Sequence, residues 1–167
     1  MKKKIELLQL GEKHDRESFA CGRSELDSWL KTTARQHHRR SISKTYVAVD
    51  PERPHRILGY YSLNAGQAVS KEWPQGVKGL PNQVPIVLIG RLARDLSMRG
   101  QGLGEILVVD ALRRVVSMSD QIGIALIVVD AKDDTAVRFY EGLGFKALLD
   151  QPKRLVMTVA TARASVS

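Results

Sequence analysis

Residues 99–104 read Arg-Gly-Gln-Gly-Leu-Gly, and they join an extended apolar run, Val84 to Asp95, to a helix-like segment, Leu103 to Ser119. That junction constrains the fold more than any other part of the chain. Gly100, Gly102 and Gly104 let the backbone turn tightly and approach a ligand closely. In the segment that follows, Leu103, Leu107, Ala111 and Val115 fall in register, the spacing of a core-facing helical stripe. The first amides of such a helix have no acceptor within it, and its dipole favours negative charge there. A strand, a Gly-rich turn and a helix N-terminus together make a cradle for a pyrophosphate.

The rest of the chain alternates strand and helix patterns. Ile5 to Leu10 reads as a short strand, and Ser24 to Arg40 as a helix with Ser24 at its N-cap and Leu26, Trp29 and Leu30 facing the core. Thr45 to Val49 and Ile57 to Leu63 are strand-like, and Pro51 and Pro54 between them predict a hairpin. The glycines and prolines of Gly66 to Pro85 predict a loop, functional or mobile at that length. Ile122 to Asp130 is apolar up to its final Asp130, as in a strand buried on both faces. Asp133 or Asp134 caps a helix running to Glu141, which Gly142 or Gly144 ends; Phe145 to Leu148 and Arg154 to Val159 finish as strands. This order predicts one α/β or α+β domain over residues 1–160, with a mixed sheet and helices on both faces. The small, polar tail 161–167 is expected to fray.

Composition narrows the partners. A chain of 167 residues can bury a real core as a single domain. The start, MKKKIELLQL, resembles a signal peptide, but Glu6 and Gln9 interrupt it and Glu12 and Lys13 follow. No run approaches the ~18 apolar residues of a membrane span, so no membrane association is expected. The single cysteine, Cys21, cannot form an internal disulfide; the expectation is a small packed side chain and a reducing cytoplasm. A net charge of +8 points to a polyanionic partner. Between positions 31 and 44 stand Lys31, Arg35, Arg39, Arg40 and Lys44, with no acid. Lys31, Arg35 and Arg39 are spaced by four and would share one helix face. Such a face either is simply solvated or tracks phosphates. His37 and His38 would point about 100° apart on a helix, and no Cys or acid nearby completes a metal site.

The glycine pattern decides among three phosphate-binding classes. A dinucleotide fingerprint needs G-x-G-x-x-G early in the chain, with an acid about 20 residues later; here the spacing is G-x-G-x-G, two-thirds along. A P-loop needs a Lys-Ser/Thr pair after its last glycine, and Gly104 is followed by Glu105. Arg99-Gly100-Gln101-Gly102-Leu103-Gly104 instead resembles the Arg/Gln-x-x-Gly-x-Gly/Ala motif of the GNAT-fold N-acetyltransferases. Ala136-Val-Arg-Phe139-Tyr140-Glu-Gly-Leu-Gly144-Phe145 is similar to that family's A-x-x-F-Y-x-x-x-G-F signature. The resemblance implies a mostly antiparallel mixed sheet and acetyl-CoA as cofactor. It also implies pantetheine pairing by the backbone of Leu92, Ala93 and Arg94, a thioester channel lined by Phe139, and Tyr140 as the acid that protonates the departing thiolate. A phenol with a pKa of about 10 is protonated and able to donate at neutral pH. Asp133 stands where many members carry Asn, so both a cofactor contact and a plain N-cap remain open there.

The acceptor is read from what the central strand lacks. Many lysine- or polyamine-directed relatives carry a Glu there as base; VPIVLIGRLARD has only Asp95, at its end. A lysine-like amine near pKa 10 needs such a base, whereas an α-amine titrates near 8. Phe19-x-Cys21-Gly22-x-x-x-Leu26-Asp27-x-x-Leu30-Lys31, Ser43-Lys44-Thr45-x-Val47, Gly90-Arg91-Leu92-Ala93 and Val129-Asp130-Ala131-Lys132-Asp133 resemble the tRNA-acetylating toxins of type II toxin–antitoxin pairs. That resemblance implies acetylation of aminoacyl-tRNA and a block of translation. It further implies a homodimer and a ribbon-helix-helix antitoxin that alone contacts operator DNA. Lys31, Arg35, Arg39, Arg40 and Lys44 would hold the tRNA backbone, with Arg91 near its acceptor end. The alternatives are an acetyltransferase for a small amine or a protein N-terminus, and a non-catalytic nucleic-acid-binding regulator on the same fold.

Overall fold

The computed structural model describes residues 4–77 and 79–167, so the first three residues of the basic N-terminus, and Lys78 within the predicted loop, lie outside the description. Among the described residues seven strands form one sheet, in the order β1 (Glu6–Gln9), β2 (Lys44–Val49), β3 (Gly59–Val69), β4 (Gln83–Arg94), β5 (Leu126–Asp130), β7 (Arg154–Thr158), β6 (Lys146–Ala147). The chain resolves into two compact units, one of residues up to Asn64 with Arg91–Asp110, the other of Ala65–Gly90 with Ala111–Ser167.

In the first unit, β1 (Glu6–Gln9) pairs antiparallel with β2 (Lys44–Val49), and β2 with the start of β3 (Gly59–Val69). The predicted hairpin is thus present, its turn closed by the Asp50–Arg53 bridge. The expected helix from Ser24 to Arg40 is instead two helices, α1 (Ser24–Thr32) and α2 (Ala34–Arg39). They part at Thr33, whose φ of −123° and ψ of −37° leave the helical region. Thr32 hydrogen-bonds back to the Ser28 carbonyl at 2.8 Å, and adjacent β-branched residues with such back-bonds bend a helix. Ser24 is the first helical residue rather than the cap, and Arg23 occupies the cap position without a side-chain cap bond. The core of this unit gathers Phe19, Trp29, Leu30, Ala34, Val47 and Tyr60. Gly59 is fixed by close approach, since a Cβ there would stand 3.0 Å from both the Ala93 carbonyl and Leu103 Cδ2.

In the second unit, β4 (Gln83–Arg94) runs parallel to β5 (Leu126–Asp130), with Ile86 opposite Leu126. Strand β5 pairs antiparallel with β7 (Arg154–Thr158), which also pairs with β6 (Lys146–Ala147). Leu126 to Val129 are all buried, as an apolar strand covered on both faces must be. The predicted loop 66–85 is shorter than its composition suggests, because β3 continues to Val69 and β4 starts at Gln83. Ser70 N–H bonds to the Asn82 carbonyl at 2.9 Å and closes the connection. The sequence between α3 (Leu103–Ser119) and β5 is not strand until Leu126, and Ile122 is 66% exposed.

The tail also departs from expectation. Residues expected to fray form a helix, α5 (Val159–Val166), capped by Thr158 and anchored by Ala162, which is fully buried. Arg163 pairs with Asp120 at 2.8 Å. A hydroxyl cap on small, helix-tolerant residues explains what polarity alone did not reveal.

Candidate active site

The end of β4 leads through Asp95 and a 3₁₀ turn, Leu96–Met98, into Arg99–Gly102 and then α3. Gly100 and Gly102 have φ of +74° and +75°. A Cβ on either would meet nothing within 4 Å. Backbone conformation, not space, therefore requires glycine at both positions. Leu103 is fully buried and pins the first turn of α3, while Arg99, Gly100, Gln101 and Gly102 are exposed. The Gln101 amide group donates to the Ser97 carbonyl at 3.3 Å. The result is an exposed turn of left-handed glycines ahead of a 17-residue helix, the geometry that presents amides and a dipole to an anion.

Asp95, the one carboxylate of the central strand, is engaged on both oxygens. Its Oδ1 accepts from Ala20 N–H at 3.0 Å, and its Oδ2 accepts from Ser97 N–H at 3.1 Å and the Ser97 hydroxyl at 2.6 Å. Arg56 lies 3.7 Å away. Burial raises its pKa, but the bonds from Ser97 and Ala20 outweigh this and hold the carboxyl below its ordinary value. An acid held ionised by three donors is a weak proton acceptor.

The four residues before Asp95 divide by burial: Ala93 is buried, and Arg91, Leu92 and Arg94 are half-buried. The Arg91 guanidinium lies over the Trp29 ring, 4.2 Å from its centroid. Trp29 in turn stacks on Tyr60 at 6.0 Å and 14°, and the Tyr60 hydroxyl donates to the Leu26 carbonyl at 2.7 Å. Trp29, read from the sequence as core alone, thus also orients Arg91. Its spacing matched a core position, so no sequence signal marked the second role.

The basic stretch does not lie on one continuous helix. The break at Thr33 separates Lys31 on α1 from Arg35 and Arg39 on α2, while Arg40 is the α2 C-cap and Lys44 begins β2. Arg35 is not uncompensated either, since it pairs with Glu12 at 3.2 Å. Lys44 donates to the His38 carbonyl at 3.0 Å. Arg39 and Arg40 are exposed. His38 is a structural link: its Nδ1 accepts from Thr45 N–H at 3.0 Å and its Nε2 meets Gln9 Oε1 at 3.2 Å. Burial, then Lys44 and Arg35, lower its pKa.

Cys21 donates weakly to the Arg23 carbonyl at 3.6 Å, and burial followed by Asp27 pushes its thiol up to about 11. The thiol is thus held protonated, and it packs against the core of the first unit. Among the described residues no cluster of His, Cys, Asp or Glu could hold a metal ion, and no helix is long and apolar enough to cross a membrane.

The second unit carries α4 (Asp134–Gly142). Asp133 is its N-cap, with Oδ1 accepting from Ala136 N–H at 2.8 Å. Tyr140 is buried at 9% exposure and Phe139 is 37% exposed. Their rings meet edge-on at 5.1 Å, and Tyr140 meets Phe145 at 5.7 Å. Burial pushes the Tyr140 phenol up to about 12. It therefore holds its proton across the whole physiological range. Gly144, with φ of +102°, turns the chain out of α4.

A left-handed glycine turn ahead of a long helix, and an aromatic pair with a buried tyrosine on a second helix, are the marks of an acyl-CoA-dependent transferase. The acetyltransferase (GNAT) domain model matches residues 21–155, and the chain belongs to the GNAT acetyltransferase family. A tRNA-acetylating toxin of Mycobacterium tuberculosis is 33% identical over 95% of this chain and 94% of its own. AtaT complexed with acetyl-methionyl-tRNAfMet superposes with a TM-score of 0.89 at 28% identity, covering 98% of this chain and 100% of that one. A tyrosine-to-phenylalanine mutant of AtaT, bound to the C-terminus of the antitoxin AtaR and acetyl-CoA, gives 0.81 at 29% identity over 96% of each chain.

Proposed function

We propose that this acetyltransferase moves the acetyl group of acetyl-CoA onto the α-amino group of aminoacyl-tRNA and so blocks translation. Acetyl-CoA supplies the activated acyl group as a thioester. In this reading the backbone of Arg99–Gly104 and the N-terminus of α3 bind the pyrophosphate, and Leu92, Ala93 and Arg94 pair with the pantetheine arm. Tyr140 gives its proton to the thiolate as the C–S bond breaks, and the proton lost by the attacking amine restores the phenol. Phe139 borders the channel, and Asp133 supports the cofactor side through the first turn of α4. Of the candidates Lys31, Arg35, Arg39, Arg40 and Lys44, the exposed Arg39 and Arg40 carry the tRNA backbone; Arg91 meets its acceptor end.

The observation that carries the choice of acceptor is the engagement of Asp95 by Ala20 and Ser97. With its one carboxylate so occupied, the central strand provides no base for an ionised lysine-type amine. An α-amine titrates near pH 8, and the neighbouring ester of an aminoacyl group makes it more acidic still, so it attacks neutral and unaided. A homodimer, a ribbon-helix-helix antitoxin, DNA contact only through that antitoxin and a cytoplasmic site of action belong to the same proposal. They rest on the family resemblance.

The test is incubation with labelled acetyl-CoA and total charged tRNA, followed by identification of the labelled aminoacyl species. Label on the aminoacyl group, reduced at least about a hundredfold by Tyr140→Phe with acetyl-CoA binding retained, is the expected result. Label on a polyamine or a protein N-terminus instead, or an unimpaired Tyr140→Phe, overturns it. Because Tyr140 does not titrate below about pH 11, given a pKa of about 12, the rate should rise with deprotonation of the acceptor and show no alkaline fall before that point.

A further inference from the structure

We propose that Asp95 is a positioning residue for the pyrophosphate cradle, holding Arg99–Gly104 in its binding shape through a clasp of three chain segments. The inference rests on the assignment of that cradle to acetyl-CoA. Asp95 is 8% exposed and stands four residues before Arg99. Its Oδ1 takes the Ala20 amide, 75 positions away in sequence, at 3.0 Å. The same segment is tied a second time, because Leu96 N–H donates to the Ala20 carbonyl at 2.9 Å. Its Oδ2 takes the Ser97 amide and hydroxyl. Arg56, from the β2–β3 connection, donates to that hydroxyl at 2.9 Å, so a relay runs Arg56 to Ser97 to Asp95. Ser97 is also tied to the cradle itself, because its main-chain carbonyl accepts from the Gln101 side chain at 3.3 Å.

Chemistry favours this role. Gly100 and Gly102 have no side chains to hold their own loop, and left-handed glycines relax readily once their ends are free. A charge-assisted clasp immediately upstream removes that freedom before the ligand arrives, which lowers the ordering cost of binding. The carboxylate is consumed by donors from the protein, so its contribution passes through the backbone and not through the reacting atoms.

The test measures acetyl-CoA dissociation constants, KM and kcat separately, and amide hydrogen exchange for wild type, Asp95→Asn and Ser97→Ala. Asp95→Asn should raise the acetyl-CoA Kd and KM about tenfold, as expected for losing hydrogen bonds to a charged group, with kcat within about twofold. Exchange at 100–104 should quicken while that of β1 and β2 stays unchanged. Should Asp95→Asn fail to fold, Ser97→Ala, which leaves both backbone donors to Asp95, should still raise Kd by about threefold. An unchanged Kd in a folded variant, or a fall in kcat at constant KM, overturns the positioning role. Failure of the wild type to bind acetyl-CoA overturns the cradle assignment instead, so the two failures are distinct.

Discussion

The turn at Arg99–Gly104 and the basic stretch Lys31–Lys44 are both local sequence signals, yet folding treats them in opposite ways. The turn carries its information in the backbone: Gly100 and Gly102 adopt φ near +75° with open space where a Cβ would sit. The basic stretch carries its information in side chains, and the fold redistributes them. Arg35 goes to Glu12, Lys44 to the His38 carbonyl, and the helix meant to align them breaks at Thr33. Local torsional demands survive into the structure, whereas charge spacing depends on an unbroken helix and on partners distant in sequence.

The sharpest way to break this contrast is to remove the conformational freedom of the turn. Each L-residue forced into the left-handed region costs about 1–2 kcal/mol. Gly100→Ala with Gly102→Ala should therefore weaken acetyl-CoA binding on the order of a hundredfold, because the loop relaxes and binding must restore the strain. Calorimetric titration with acetyl-CoA checks this. An unchanged affinity would mean that the φ values are incidental to the ligand.

For the basic stretch, the exposed pair is the part that remains available to a polyanion. Arg39→Ala with Arg40→Ala should lower the slope of log K against log salt by about 1.5 for charged tRNA, from the contribution of two phosphate contacts. At low salt that corresponds to roughly a tenfold loss of affinity. Filter binding across a salt series measures it, and a slope identical to wild type would move the tRNA contact elsewhere.

The same distinction explains what the sequence could and could not reveal. The bounds of α3 follow from its apolar period and stand where the pattern places them, and of the two candidate caps, Asp133 and Asp134, the structure uses Asp133. Strand β5 is buried as its run of Leu, Ile and Val requires, although the strand begins at Leu126 and not at Ile122. Hidden from the sequence were features that need distant partners or fine balance: the kink at Thr33, the helical tail under its Thr158 cap, and the Ala20 and Arg56 contacts of Asp95. Asp95 was visible as the lone carboxylate of its strand. Its donors, apart from Ser97 two residues on, lie on segments that no local pattern connects to it.

His38 offers a smaller effect that tests how α2 is held. Its Nδ1 accepts a backbone N–H, so the folded state needs the neutral ring. Its pKa lies below the ordinary 6.5 in the fold. The unfolded chain therefore binds more protons in the window below pH 6.5, and stability should fall as the pH is lowered through it. Thermal melts from pH 7.5 to 5 should show this fall, and His38→Gln should flatten the His38-dependent part. An equal slope in the variant would assign the effect to other groups, of which His14 is one with a lowered pKa.

The smallest effect separates the two kinds of cation within the basic stretch. Arg35 has a side chain only 18% exposed and reaches Glu12, which is 85% exposed, at 3.2 Å. A pair so open at one end contributes at most about 1 kcal/mol. Arg35→Ala should thus cost a small amount of thermal stability, while the salt slope for tRNA stays at the wild-type value because the charge removed was already answered by Glu12. In the double variant Arg35→Ala with Glu12→Ala the second substitution should cost nothing further if the ion pair, and not the packed stem of Arg35, is the source. If Arg35→Ala lowers the salt slope by as much as a single exposed arginine does, Arg35 turns from Glu12 to phosphate when tRNA binds. The spacing of basic residues would then have been the better guide to the bound state than the ion pair of the free one.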